Sequence, residues 1–289
     1  MTIIDKSAAI YRCPECESLI TGRLFTTTSY SIISPDIFSD GSVCSQYMPK
    51  SETNIAKCPN CEKFIYLNNV VGLFPWGKYY RFRRVKNEFF VNIQCDWRCA
   101  TNITVGKYTY FHEKITEEIP EEYNNFIDAP SVMHLSLKEV VEALGQGVVK
   151  SKKNEIDERV ILWWYVGSDE AIRELAFENG IELCLPSGLD AIRGRQHYLG
   201  KNCIDLDNLT SEIDVIKKKN LQRLLKLLSE DDPRNLVMKG EILRQLGMFE
   251  EAIQVLEMVP SEDKWASIQI IQFAKTQDKN VRQLKPPTE

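Results

Sequence analysis

Histidine is scarce in this chain. The three present, His112, His134 and His197, are far apart and form no H-E-x-x-H pair or other local metal or base motif. There is no G-x-S-x-G elbow, no phosphate-binding Walker loop and no dinucleotide glycine fingerprint, so no recognised catalytic signature is present. A long apolar run is missing too. The most apolar stretch, Val160 to Val166, is far shorter than the roughly 18 residues that suggest a membrane span, so no membrane association is expected. The opening residues carry Asp5, Lys6 and Ser7, which break any apolar leader core. Basic charge is not in excess: the formal net charge is −5, which excludes a globally basic nucleic-acid binder. A disulfide framework of the secreted kind is lacking, because four of the nine cysteines sit in two short, matching pairs. Together these point to a reducing, cytoplasmic setting.

Those pairs are Cys13-Pro14-Glu15-Cys16 and Cys58-Pro59-Asn60-Cys61. A tight C-P-x-C turn lets both thiolates of a pair face one ion about 2.3 Å from each sulfur, and two such turns complete a tetrahedral four-thiolate set. One C-x-x-C is shared with redox motifs, but a thioredoxin-like centre needs a strand before it and a helix after it. Here the flanks, Ala8 to Arg12 and Lys63 to Leu67, read as short strands. The expected site is therefore a structural Zn2+ held by Cys13, Cys16, Cys58 and Cys61. A zinc with four thiolate ligands has no open position for water, so it holds shape and does not hydrolyse. The spacer from Glu17 to Lys57 is long for a compact ribbon and must loop out or form extra strands.

The fold class expected is α+β: a β-rich, zinc-ribbon-like module over residues 1–127, then an all-α domain over 128–289. Before the boundary, Thr26 to Ile33, Tyr79 to Val85, Phe89 to Gln94 and Asn102 to Phe111 have the β-branched and aromatic bias of strands, and Asp40 to Lys57 reads mostly as loop. Glu117, Glu118, Glu121 and Glu122, with Pro120 and Pro130, mark the connector. Beyond it no strand pattern stands out. Ser136 and Glu139 form a capping box for a helix on Leu137, Val140, Val141 and Leu144. Helices follow at 154–166 and 168–178, the latter stopped by Asn179-Gly180. Residues 185–208 read as loop. Ser211 is the expected cap of a helix to Leu228, and Asp232-Pro233 starts one ending at Gly247. Phe249 to Val259 is its partner, a last helix runs to about Thr276, and the tail from Leu284 is expected to fray.

The stretch from Asn235 to Ile253 resembles a tetratricopeptide repeat. Gly240 and Ala252 occupy the small positions where the repeat's helices touch, Gly247 lies in the turn, and Phe249 and Leu256 take large apolar positions. Lys239 and the early Pro260 depart from the pattern, and no second copy follows at the repeat's period of roughly 34 residues. An ordinary helical hairpin is the plainer reading of the same residues. With the two knuckles and their wide spacing, this hairpin makes the chain similar to DUF2225, a group of bacterial proteins with a zinc-binding N-terminus and a tetratricopeptide-like C-terminus. The resemblance implies the architecture and the metal, but no activity.

Function follows as expectation. The leading reading is a non-enzymatic, zinc-stabilised adaptor whose helices meet a protein partner. A nucleic-acid alternative rests on Lys78, Tyr80, Arg81, Phe82, Arg83, Arg84 and Lys86. On a strand, alternation puts Tyr80, Phe82 and Arg84 on one face and Tyr79, Arg81, Arg83 and Val85 on the other, so aromatics could stack on bases while arginines hold phosphates, although a charged edge strand that blocks pairing explains them as well. A third reading is an enzyme with an unrecognised site between the two domains. Cys95 and Cys99, with Cys44 and His112, either form a second metal site or are free thiols that pack as small hydrophobes. Cys184 and Cys203 fit core packing, and the loop from Arg193 to Tyr198 reads as solvated.

Overall fold

The computed structural model describes residues 2–5, 8–23, 26–29, 36–44, 53–68, 70–73, 81–85, 88–92, 102–105, 108–111, 129–180, 206–229, 232–261 and 264–286. An N-terminal strand region is followed by a region with seven helices among the described residues. By spatial contact the chain groups into two units: residues 1–29 with 54–134, and residues 30–53 with 135–289. This grouping differs from a single cut in chain order. Only residues 30–53 of the spacer between the two knuckles group with the helices, and residues up to His134 stay with the strands.

In the first unit each knuckle closes a β-hairpin. Strands β2 (Ala8–Arg12) and β3 (Leu19–Arg23) flank the first, paired from Ala8↔Arg23 to Arg12↔Leu19. Strands β7 (Ile55–Lys57) and β8 (Phe64–Tyr66) flank the second, with Ala56 opposite Ile65. Strand β9 (Val70–Leu73) adds to the other edge of β2, with a register shift between Ile10 and Tyr11. The remaining strands are two-stranded antiparallel ribbons: β1 (Thr2–Asp5) with β4 (Thr26–Ser29), β10 (Arg81–Val85) with β11 (Glu88–Asn92), and β12 (Asn102–Val105) with β13 (Tyr108–Phe111).

Residues 130–133 link the two knuckle hairpins. The N–H of Thr21 donates to the carbonyl of Pro130 at 2.8 Å, and the N–H of Val132 donates back to Thr21 at 2.8 Å. One residue on, the N–H of Met133 donates to Lys57 at 3.1 Å. The same short segment thus satisfies backbone groups of both hairpins. Beneath them Ala9, Tyr11, Ile20, Ala56 and Ile65 pack with Cys13 and Cys58.

The second unit is helical: α1 (Leu137–Gly145), α2 (Lys152–Val166), α3 (Asp169–Glu178), α4 (Leu206–Leu227), α5 (Pro233–Leu246), α6 (Phe249–Glu257) and α7 (Lys264–Lys275). The capping box is formed: the N–H of Glu139 donates to Ser136 Oγ at 3.3 Å and that of Ser136 to Glu139 Oε2 at 3.0 Å. Gly180 and Gly247 take the left-handed conformation that ends α3 and α5. Helix α4 starts earlier than the expected cap at Ser211, because Leu209 continues the stripe of Ile213 back by one turn and both are buried. Val160 and Trp163 of α2 pack with Leu221 and Leu224 of α4 and Ile242 of α5. No helix among the described residues is long and apolar enough to cross a membrane.

Strands also occur in this unit, where none were expected beyond residue 127. Strand β14 (Gln283–Leu284) pairs with β5 (Asp36–Phe38), and β5 pairs with β6 (Val43–Cys44). The start of the tail is therefore held rather than frayed. Leu284 is buried against Leu256 and Ile270 because its neighbour strand supplies the hydrogen bonds that two residues cannot make alone.

A buried polar network fixes this arrangement. Glu241 and Arg244, one turn apart on α5, are both fully buried and joined at 2.6 and 2.8 Å. Arg244 also donates to the carbonyls of Asp278 and Asn280, and its guanidinium lies 5.7 Å from the centre of the Phe273 ring. Ser39, in the turn after β5, donates to Glu241 Oε1 at 2.8 Å and accepts from the N–H of Arg282 at 3.0 Å. Gln245 completes the set, donating to Glu241 and accepting from Trp163 Nε1. Trp164, next along α2, donates its Nε1–H to the Asp40 carbonyl at 3.0 Å.

Candidate metal centre

The two knuckles have the same local geometry. In the first, the N–H of Glu17 donates to the Cys13 carbonyl at 2.9 Å and the N–H of Cys13 to that of Ser18 at 2.9 Å. In the second, Glu62 donates to Cys58 at 2.8 Å and Cys58 to Lys63 at 3.0 Å. Each turn ends on a glutamate in the left-handed region, Glu17 at φ 60° and Glu62 at φ 58°. Non-glycine residues adopt this conformation uncommonly. Its occurrence at the same point of both loops shows that one turn is built twice.

The turns bring four sulfurs together. The Sγ atoms of Cys13, Cys16, Cys58 and Cys61 all lie within 4.8 Å of one another. Across the knuckles, Cys13 Sγ is 3.8 Å from Cys61 Sγ and Cys16 Sγ is 3.8 Å from Cys58 Sγ. A tetrahedron of thiolates about 2.3 Å from a central ion has an edge of about 3.8 Å, so these separations fit a shared metal. They are far too long for disulfide bonds, whose sulfurs lie about 2.05 Å apart, and all four cysteines are free. Cys13 and Cys58 are buried, while Cys16 and Cys61 are partly exposed.

The electrostatics also suit a cation. Burial pushes the Cys13 thiol up to about 12, whereas the Ser18 hydroxyl and backbone N–H hold the Cys16 thiol down to about 6. Four crowded sulfurs cannot all ionise without positive charge among them, and a divalent ion supplies it. Outside the cluster, Lys63 of the second knuckle reaches Glu15 of the first at 2.9 Å. Both side chains are well exposed, so this bridge contributes little stability.

The other sequence candidates divide by position. Arg81, Phe82, Arg83 and Arg84 lie on β10, with Arg83 opposite Phe90. Lys78, Tyr80 and Lys86 lie outside the described residues, as do Cys95, Cys99, His112, Cys184, Cys203 and the loop 193–198. Sequence reasoning did not find residues 130–133 as part of the knuckle module, because Pro130 reads as a break. Nor did it find the Glu241–Arg244 network, whose partners are more than 200 residues apart at Ser39. The one available signal was the pair of charged residues at i, i+3 on an otherwise apolar helix face.

No family model matches this chain, and no curated protein or solved structure matches it either.

Proposed function

We propose that the protein is a non-enzymatic, zinc-stabilised binding module. In this reading Zn2+ is held by Cys13, Cys16, Cys58 and Cys61, and the helical unit meets a protein partner. The observation that carries it is the pair of 3.8 Å sulfur separations across knuckles that start 45 residues apart in sequence (58 − 13). Bound zinc would supply charge neutralisation and a rigid crosslink between the two hairpins. The chain's own part is to present four sulfurs, bury two of them, and direct backbone N–H groups towards them. An all-thiolate set leaves no position for water, so the site's role is to hold the strand unit's shape.

The test is metal content of the native protein by elemental analysis, with Cys58→Ser beside it. One equivalent of zinc that is lost in the variant supports the reading. A protein that is natively metal-free yet keeps a stable strand unit sinks it.

Membership of DUF2225 and a tetratricopeptide-like character are part of the same proposal. They are supported by the knuckles' spacing and by the hairpin α5–α6. A Cβ on Gly240 would lie 2.3 Å from Leu256 Cγ, so the crossing needs a small residue where the resemblance places one. The second reading, nucleic-acid binding through residues 78–86, is favoured by the strand conformation of Arg81–Val85. It requires salt-sensitive binding that weakens in Arg81→Ala and Arg83→Ala. Binding that ignores salt, or no binding, removes it.

A further inference from the structure

Helix α4 changes charge along its length. From Lys217 to Leu227 it carries five cations and no acid, within a chain of net charge −5. Two of the cations are used or partnered: Arg223 pairs with Glu155 at 2.9 Å, and Lys217 has an interaction of its own. Lys218, Lys219 and Lys226 are exposed and form no ion pair among the described residues. At a hundred degrees per residue, Lys218, Gln222 and Lys226 share one outward face. Beside it Leu225, Leu246 and Met248 form an apolar strip, the last two from the turn that leaves α5. These six residues line one open groove.

The groove and the helix face beside it leave apolar surface open to solvent. Met248 is 39% exposed, and Val215, one turn back on α4, is 49% exposed. Lys279, outside the lining, lies against the same turn with its amino group 6.0 Å from the centre of the Phe249 ring. Lysine stems can lie over apolar surface while their amino groups stay in water, and methionine repacks around varied partners. Apolar floor and cationic wall together match a segment with the opposite pattern.

We propose that this groove is a docking site for an acidic peptide segment of a partner protein, with one large aliphatic side chain on Leu225, Leu246 and Met248 and carboxylates at Lys218 and Lys226. The proposal rests on the reading of the helical unit as a binding module and supplies the partner's chemistry. Nucleic acid fits less well. The lining holds no aromatic side chain for base stacking and no arginine fork for phosphate.

The experiment uses the full, metal-loaded chain and a fluorescein-labelled peptide in which glutamates and aspartates flank a central leucine. Anisotropy should show saturable binding that weakens with salt. The double variant Lys218→Glu, Lys226→Glu should bind roughly tenfold more weakly or worse, because attraction becomes repulsion. Lys275→Glu, a charge reversal on α7, should leave binding unchanged. Circular dichroism of the variants should match the parent, since all three lysines are exposed. No saturable binding, equal loss in Lys275→Glu, or tighter binding of an oligothymidylate than of the peptide overturns the proposal. Zinc measured in the same samples separates the outcomes: failure of the peptide with zinc retained removes the groove alone, and absence of zinc removes the metal-stabilised module.

Discussion

The strand unit and the helical unit solve the same problem with different materials. The core cluster around the two knuckles of the strand unit is built in part from sulfur and small side chains. Its seven buried members include two alanines and two cysteines, with Ile20, Ile65 and Tyr11 as the larger side chains. The helical unit packs Trp163, Leu221, Leu224 and Ile242 in one cluster and Leu256 and Ile270 in another. Hydrophobic burial stabilises at about 25 cal/mol per Å2 of apolar surface, and alanine and cysteine side chains each bury little of it, so the cluster at the knuckles gains from another source. Small folds commonly take it from a metal. The difference teaches where each unit would be vulnerable if the proposed zinc is bound: the strands to loss of an ion, the helices to loss of shape complementarity.

Five perturbations would break or sharpen that contrast. The largest effect is expected from chelation or Cys58→Ser. A structural zinc contributes on the order of 10 kcal/mol to folding, so amide protection should collapse in β2, β3, β7 and β8 and persist in α2, α4 and α5. Persistent protection of the knuckle hairpins without metal would erase the contrast. Next comes Arg244→Leu, which leaves Glu241 buried without its cation. A loss of about 3–5 kcal/mol is expected in the helical transition, with zinc affinity unchanged. A urea melt with the parent midpoint would show that the network is idle.

Gly240→Ala comes third. The new methyl meets Leu256, a buried leucine, and should cost about 1–3 kcal/mol. Leu256→Ala in the same chain should recover part of that cost, and simple additivity would mean that the two residues do not meet. The smallest changes lie at the starts of α1 and α2. Ser136→Ala removes a side-chain cap worth about 1 kcal/mol. At Glu155, hydrogen bonds from Arg223, then from Arg159, hold the carboxyl below its ordinary value. A depressed carboxyl stabilises the folded state above the unfolded value, and that stability is lost as pH falls through the folded one. Helical stability should therefore decline in acid, and less so in Glu155→Gln. Identical acid profiles for parent and variant would exclude this pair as a contributor.

Much of the helical unit was legible because its signals are local. Ser136 and Glu139, Asp232-Pro233, Gly180 and Gly247 each act within one turn of their own residue, and the apolar stripes repeat at helical spacing. The sulfur site was legible for a similar reason: each half is a four-residue turn whose chemistry needs a second copy. What escaped is non-local. Strand β14 is two residues long and exists only because β5 lies beside it. Residues 130–133 have no strand signature, yet their backbone is engaged by Thr21 and Lys57. Ser39 carries no hint of Arg244, since neither pattern nor propensity reports a partner two hundred residues away.

The clasp at Arg244 has a practical consequence for anyone cutting this gene. Neither half is an uninterrupted piece of chain. A fragment ending at His134 would carry the Ser39 turn with nothing to receive it, and a fragment starting at Leu135 would leave Glu241, Arg244 and Trp164 short of partners. Dissection by a single cut should give two poorly behaved products from a well-behaved parent. A faithful excision would splice residues 29 and 54 through a short linker and supply the 36–44 hairpin separately.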